Sequence, residues 1–287
     1  MSEEFDRYTE ELENDFGLDP EEHSRIKATR MEWYKAEKGR TDRVALVYFR
    51  TVDVSAVRVA LKKNPNLSPA EKAAVGKSAL EQRAKELKKP VDALTEVEKL
   101  NIDDVRFKQF RVHYQDGLGY IVSRLGKDGP EADEVWKRLD APRDYFTTLV
   151  LLYPTNRDGE LNKRALQEGQ WRILPWRIGP DRYLQILKRN KGLMLNGVSI
   201  ASQDLEITCK DTQYQNISID IAGPAMYRAN KAFRDLVLSK AVEMYDKVSP
   251  FKEMSTSDLR IKLGVGSSDG ADAGISPDEF NDILTNV

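Results

Sequence analysis

Three stretches of this chain interleave cations with aromatic rings. In VRFKQFRVHY (105–114) the period-two rule of an extended strand puts Arg106, Lys108, Phe110 and Tyr114 on one face, and Arg111 adds a further cation. Trp171-Arg172 and Trp176-Arg177 repeat the pairing within seven residues. Trp33-Tyr34-Lys35, followed by Lys38, Arg40 and Arg43, makes a third cluster, and Arg143 heads another strand signal. Cations bind phosphates by releasing counterions, and flat rings stack on unpaired bases for about 1–3 kcal/mol per base. Those are the two needs of a single-stranded nucleic-acid binder. The competing reading makes the rings core and the cations their rim. Trp171 and Trp176 stand five residues apart on an extended strand, so they fall on opposite faces. One is expected in the core and the other along a groove, unless Pro175 introduces a bulge.

Other chemistry has little to stand on. The sequence contains no GxxxxGK[ST], GxGxxG or HExxH. One cysteine, Cys209, and two scattered histidines, His23 and His113, cannot assemble a four-ligand zinc site of the usual kind. Asp204 and Glu206 lie two apart on one strand face, as metal-binding carboxylates can. A hairpin with Leu205, Ile207 and Cys209 facing inward explains the same spacing. The expectation is a non-enzymatic protein with no cofactor and no metal.

Charge supports a polyanion partner. Residues 1–22 hold ten acids against one Arg, and residues 263–287 hold five acids with no Lys or Arg. The overall net charge of −2 therefore leaves +12 on residues 23–262. A basic body between two acidic ends is the footprint of a nucleic-acid binder whose ends compete for the groove or recruit partners. No apolar run approaches the roughly 18 residues of a membrane helix. The N-terminus is acidic and unlike a secretory leader. With a single thiol, a reducing cytoplasm is the expected compartment.

The elements that must position these residues can be read in order. Residues 2–16 predict a helix with an apolar stripe of Phe5, Tyr8, Leu12 and Phe16. Strands are expected at 43–49 and, from alternation, at 51–61. Ser68-Pro69-Ala70-Glu71 is a capping box that opens a helix running to Lys89, and 62–104 reads as a helical insertion. Strands resume at 105–114 and 120–125, the latter a hairpin return, with a short helix after them through EADEVWKRL. Further strands follow at 145–154 and 169–179, where Pro175 marks an edge or bulge. After a short helix from Pro180, DLEITCK and YQNISIDIAG form another hairpin, and helix runs from Ala229 to about Val248. The Gly-, Ser- and Asp-rich end, 264–287, is expected to be disordered.

From about Pro142 to Gly264 the order of segments resembles the single-stranded DNA-binding proteins of T-even-type phages. The likeness is carried by PRDYFTTLVLLYP, GQWRILPWRIGPDRYLQIL, DLEITCKDTQYQNISIDIAG and FKEMSTSDLRIKLG, in that order, and by the terminal DEFNDIL. It covers under half of the chain, and the order of the motifs carries it. The resemblance implies an α+β protein built on an OB-fold β-barrel core with helical C-terminal additions. It also implies cooperative, largely sequence-independent binding of single-stranded DNA during replication, recombination and repair. Two features depart from the family. Its zinc-binding segment is missing, with 62–104 in its place, and its basic N-terminal arm is replaced by an acidic stretch.

The organisation expected is an acidic arm at 1–22, a binding core at 23–263 and an acidic tail at 264–287. The tail is expected to dock replication proteins through Phe280, Ile283 and Leu284, with Asp278, Glu279 and Asp282 meeting basic residues around them. The apolar stripe of residues 1–19 must dock on its own body or on a neighbouring protomer, where it would support cooperative self-association. The alternatives are an RNA-binding or single-strand-annealing protein, and a structural interaction module without nucleic acid.

Overall fold

The computed structural model describes residues 32–115, 118–122, 143–156, 158–210, 216–248 and 253–254. The predicted N-terminal helix, the helix at 131–139 and the acidic tail lie outside these residues. The chain divides into two compact units, Met1–Val112 with Arg143–Phe251, and His113–Pro142 with Lys252–Val287. The strands are β1 Arg40–Leu46, β2 Phe49–Thr51, β3 Leu100–Val105, β4 Lys108–Gln115, β5 Leu118–Val122, β6 Arg143–Leu152, β7 Arg172–Ile178, β8 Gln203–Cys209, β9 Ile217–Pro224 and β10 Glu253–Met254. The α-helices are α1 Val52–Lys63, α2 Pro69–Leu87, α3 Lys163–Gln167, α4 Pro180–Met194 and α5 Lys231–Val242. In the second unit β5 and β10 pair in parallel.

The first unit is an α+β structure organised around β6. One edge of β6 pairs with β7, from Phe146↔Ile178 to Leu152↔Arg172. Its other edge is shared end to end: β4 occupies residues 143–147 and β1 residues 150–152. β1 then pairs with β8, and β8 with β9, all antiparallel. The strands β2 and β3 form a separate ribbon. Among the described residues no pairing carries β9 back to β7 or β4, so the sheet is not a closed barrel, unlike the barrel the resemblance implied. The outer edge of β7 is used differently. The Tyr34 N–H donates to the Pro175 carbonyl at 2.8 Å. On a strand the N–H and C=O of one residue point the same way, so the N–H that proline lacks would also have faced away from β6. Pro175 therefore sits on an edge strand without a bulge, in register with Leu149.

Around the middle of β6 both faces of the sheet are buried, and neighbouring residues serve different cores. Ala45, Leu149, Leu151 and Ile173 pack with Val237, Leu238 and Ala241 of α5. Val44, Leu46, Val150, Leu174 and Trp176 pack with Leu205, Ile207, Cys209 and Ile186 of α4. This explains why 43–49 and 145–154 read as nearly continuous apolar runs, as expected of strands covered on two sides, although the strand expected at 43–49 is divided, β1 ending at Leu46 and β2 starting at Phe49. The inward set Leu205, Ile207 and Cys209 and the β8–β9 hairpin are as the alternation predicted.

Two sequence expectations are corrected. Of the stretch 51–61 only Thr51 belongs to a strand, the end of β2, and from Val52 it is α1, whose Gly76-facing side packs on α2: a Cβ on Gly76 would stand 3.4 Å from that of Asp53. Val54 and Val59 are both exposed on α1, so the valines of this stretch did not mark a buried sheet face. The single strand expected at 105–114 is instead β3 and β4, separated at Arg106 and Phe107. The break is held by the Arg106 N–H donating to the Tyr48 carbonyl at 2.7 Å and the Thr148 hydroxyl donating to the Arg106 carbonyl at 3.1 Å. The helix at Ser68 forms with its full capping box, Ser68 and Glu71 bonding reciprocally.

Candidate nucleic-acid interface

The register of β4, β6 and β7 brings residues of two sequence clusters, together with Arg143, onto one face. Lys108 pairs with Thr147, and Thr147 with Arg177, so this row of three crosses the sheet on the same side. One step along, Phe110 pairs with Tyr145, and Val112 with Arg143. Lys108 lies over the Phe110 ring at 5.0 Å, and the Arg177 guanidinium lies over Tyr145 at 5.2 Å. Two cation–π pairs thus stand side by side across neighbouring strands. Arg143 and Arg177 are exposed, and Lys108 and Tyr145 half-buried. Arg106 is exposed at the head of β4, with its guanidinium 5.2 Å from the Tyr48 ring. Tyr48 in turn meets Tyr245 edge-on at 4.7 Å.

Phe110 itself is only 6% exposed, so Lys108 covers a ring that belongs to the packing. Tyr145 is half-buried, so its ring keeps accessible surface on this face. It was overlooked in the sequence because 145–154 read as a buried strand. Extending the alternation from Arg143 through Tyr145 to Thr147 would have found it. Arg111 points to the other side and pairs with Asp144 at 3.3 Å. The side chain of Tyr114 lies outside the described residues.

The tryptophan pairs separate as the five-residue spacing predicted. Trp176 is buried in the α4-side core and meets Tyr34 edge-on at 5.7 Å. Trp171 is half-buried on the opposite face, edge-on to Phe233 at 5.5 Å, with the Lys240 ammonium 4.6 Å above its ring. Arg172 pairs with Glu32 at 2.6 Å.

The third cluster serves mainly to hold β1. Tyr34 is buried, and its hydroxyl donates to Asp42 at 3.0 Å. Burial, with the Asp42 carboxylate beside it, holds the Tyr34 phenol protonated far above its usual range. Asp42 is raised as well, by burial, against the opposing pull of Arg40 at 2.8 Å. Arg43 donates through Nε to Asp204 at 3.0 Å. Trp33 is half-buried, and Lys35 and Lys38 are exposed.

Asp204 and Glu206 separate in role. Asp204 is fully buried between Arg43 and the Tyr153 hydroxyl, whereas Glu206 is half-buried and faces Asp220 in the hairpin. Among the described residues no group of three or more His, Cys, Asp or Glu gathers as a metal site would. No described helix is long and apolar enough to cross a membrane. A cavity of about 90 Å³ opens beside β2, lined by Phe49, Arg50, Thr51, Leu100, Arg106 and Tyr245. Arg50 pairs with Asp104 at 2.8 Å, where Arg58 and Ser55 also converge.

The chain matches no protein-family model, and no curated protein matches it.

Proposed function

We propose that this protein binds single-stranded DNA, largely without regard to sequence, along the face formed by β4, β6 and β7. The observation that carries the reading is the cross-strand array of Lys108, Phe110, Tyr145 and Arg177, with Arg106 and Arg143 at its ends. Four cations supply phosphate attraction, and Tyr145 supplies a ring for a base. Trp33, Lys35 and Lys38 would extend the track. We read the open antiparallel sheet as an OB-type frame, a fold that uses such a strand face for oligonucleotides. The role that follows is coating of single strands in replication, recombination and repair, in the cytoplasm, with the acidic C-terminal segment contacting replication proteins.

The test is a fluorescence titration with oligo-dT, oligo-rU and duplex DNA, on wild type and on a Lys108→Ala/Arg177→Ala variant. Oligo-dT should quench most strongly, and the variant should bind about tenfold or more weakly with a shallower salt dependence. Absence of quenching by any of the three would reject nucleic-acid binding. Preference for oligo-rU would reassign the ligand to RNA, and faster pairing of complementary strands would assign annealing.

A further inference from the structure

The helix α4 is amphipathic in two directions. One side packs Ile186, Tyr183 and Leu193 against the core beneath β7. The adjoining side leaves Leu184, Leu187, Met194 and Leu195 exposed at 51%, 40%, 56% and 83%. At about 100° per residue these four fall within an arc of about 100°, and Leu195 continues the helical backbone beyond Met194. One exposed leucine is ordinary on a protein surface, but four along one stripe mark a surface built to be covered. Lys188 borders the stripe and Lys191 lies within its arc, both exposed, and among the described residues neither has an ion-pair partner.

We infer that residues 5–16 of the same chain dock on this stripe. The sequence of that segment supplies the complement in three respects. Its apolar residues Phe5, Tyr8, Leu12 and Phe16 have helical spacing and span twelve residues, as do Leu184 to Leu195, about 16 Å of helix in each case. Its remaining surface is acidic, with Asp6, Glu10, Glu11, Glu13 and Asp15 against the single cation Arg7, a complement to Lys188 and Lys191. The place where the described chain begins also fits. Glu32 is tied to Arg172 at the start of β7, and Tyr34 to Pro175, while α4 begins directly after β7. The fifteen residues 17–31 can reach up to about 50 Å, more than twice the length of β7. A tether of that length gives an effective concentration in the millimolar range, so the chain's own segment outcompetes a second copy in dilute solution.

Hydrogen exchange on the full chain tests this. Amides of residues 5–16 should be protected, independently of protein concentration. The exposed-site variant Leu187→Glu/Leu195→Glu should lose that protection at least tenfold, while β6 amides keep theirs. The inference fails if residues 5–16 exchange at the rate of an unstructured peptide in wild type. It fails equally if the double substitution leaves their protection unchanged. Protection that rises with protein concentration would assign the stripe to a second copy and overturn the intramolecular docking. None of these readings depends on nucleic-acid binding.

Discussion

The Tyr153 hydroxyl donates to a carboxylate oxygen of Asp204 at 3.0 Å, and both side chains are fully buried. The other Asp204 oxygen accepts from Arg43 Nε at 3.0 Å and from the Met226 N–H at 3.4 Å, while the Tyr227 N–H donates to the Tyr153 hydroxyl at 3.2 Å. The network joins β1, β8, the end of β6 and the turn before α5. Burial still outweighs these partners and pushes the Asp204 carboxyl up to about 6.

The folded state therefore holds the Asp204 proton more tightly than the unfolded chain, whose carboxyl titrates near the ordinary value of 3.8. The stabilising contribution is complete below the unfolded value and is lost as pH rises through about 6. Urea melts of wild type and Asp204→Asn between pH 4 and 7 should show wild type losing stability relative to the variant as pH increases. A constant difference across that window would mean that Asp204 stays ionised in the folded protein.

Arg43 should behave as a structural cation. Arg43→Met leaves a buried carboxylate without its charge partner, and the cost at pH 7 should be about 2–4 kcal/mol, at or below the usual range because Arg43 is partly exposed. The loss should shrink at pH 5, where Asp204 is largely protonated. Oligo-dT affinity of the folded variant should match wild type. A stable variant with weakened binding would instead make Arg43 a contact to the strand.

The two tryptophans should differ by mechanism. Trp176→Ala empties a site deep in the α4-side core and should cost about 3–5 kcal/mol by thermal or urea melting. Trp171→Ala removes a half-buried ring and its Lys240 contact, and should cost about 1–2 kcal/mol. If both variants bind oligo-dT like wild type while folded, neither ring serves the interface, and Tyr145 becomes the ring to replace next.

Removal of residues 265–287 takes away five acids and no cation. Oligo-dT binding should then tighten, most clearly at low salt where screening is weak, because the acidic segment no longer competes for the basic face. Equal affinity at low salt, with unchanged capture of replication proteins, would leave the segment without either role.

Local chemistry made several elements legible in the sequence. The capping box at Ser68 begins α2, the period-two pattern of DLEITCK sends Leu205, Ile207 and Cys209 inward, and the spacing of Trp171 and Trp176 puts them on opposite faces. Each depends on neighbours a few residues away. Where the deciding contact was distant, the sequence was silent or misleading. The valines of 52–59 alternate like a strand, but their propensity difference is a few tenths of a kcal/mol per residue, and packing on α2 overrides it. Arg43 looked like a member of a surface cluster because its partner Asp204 lies 161 residues away. The array of Lys108, Tyr145 and Arg177 exists only through the register of β4 and β7 on β6. The basic body and its interleaved rings were determined by composition and short-range spacing. Which cations are neutralised inside and which remain on a face was decided by strand pairing, because a charge is committed by the group that folding brings within about 3 Å, and residue order alone does not specify that group.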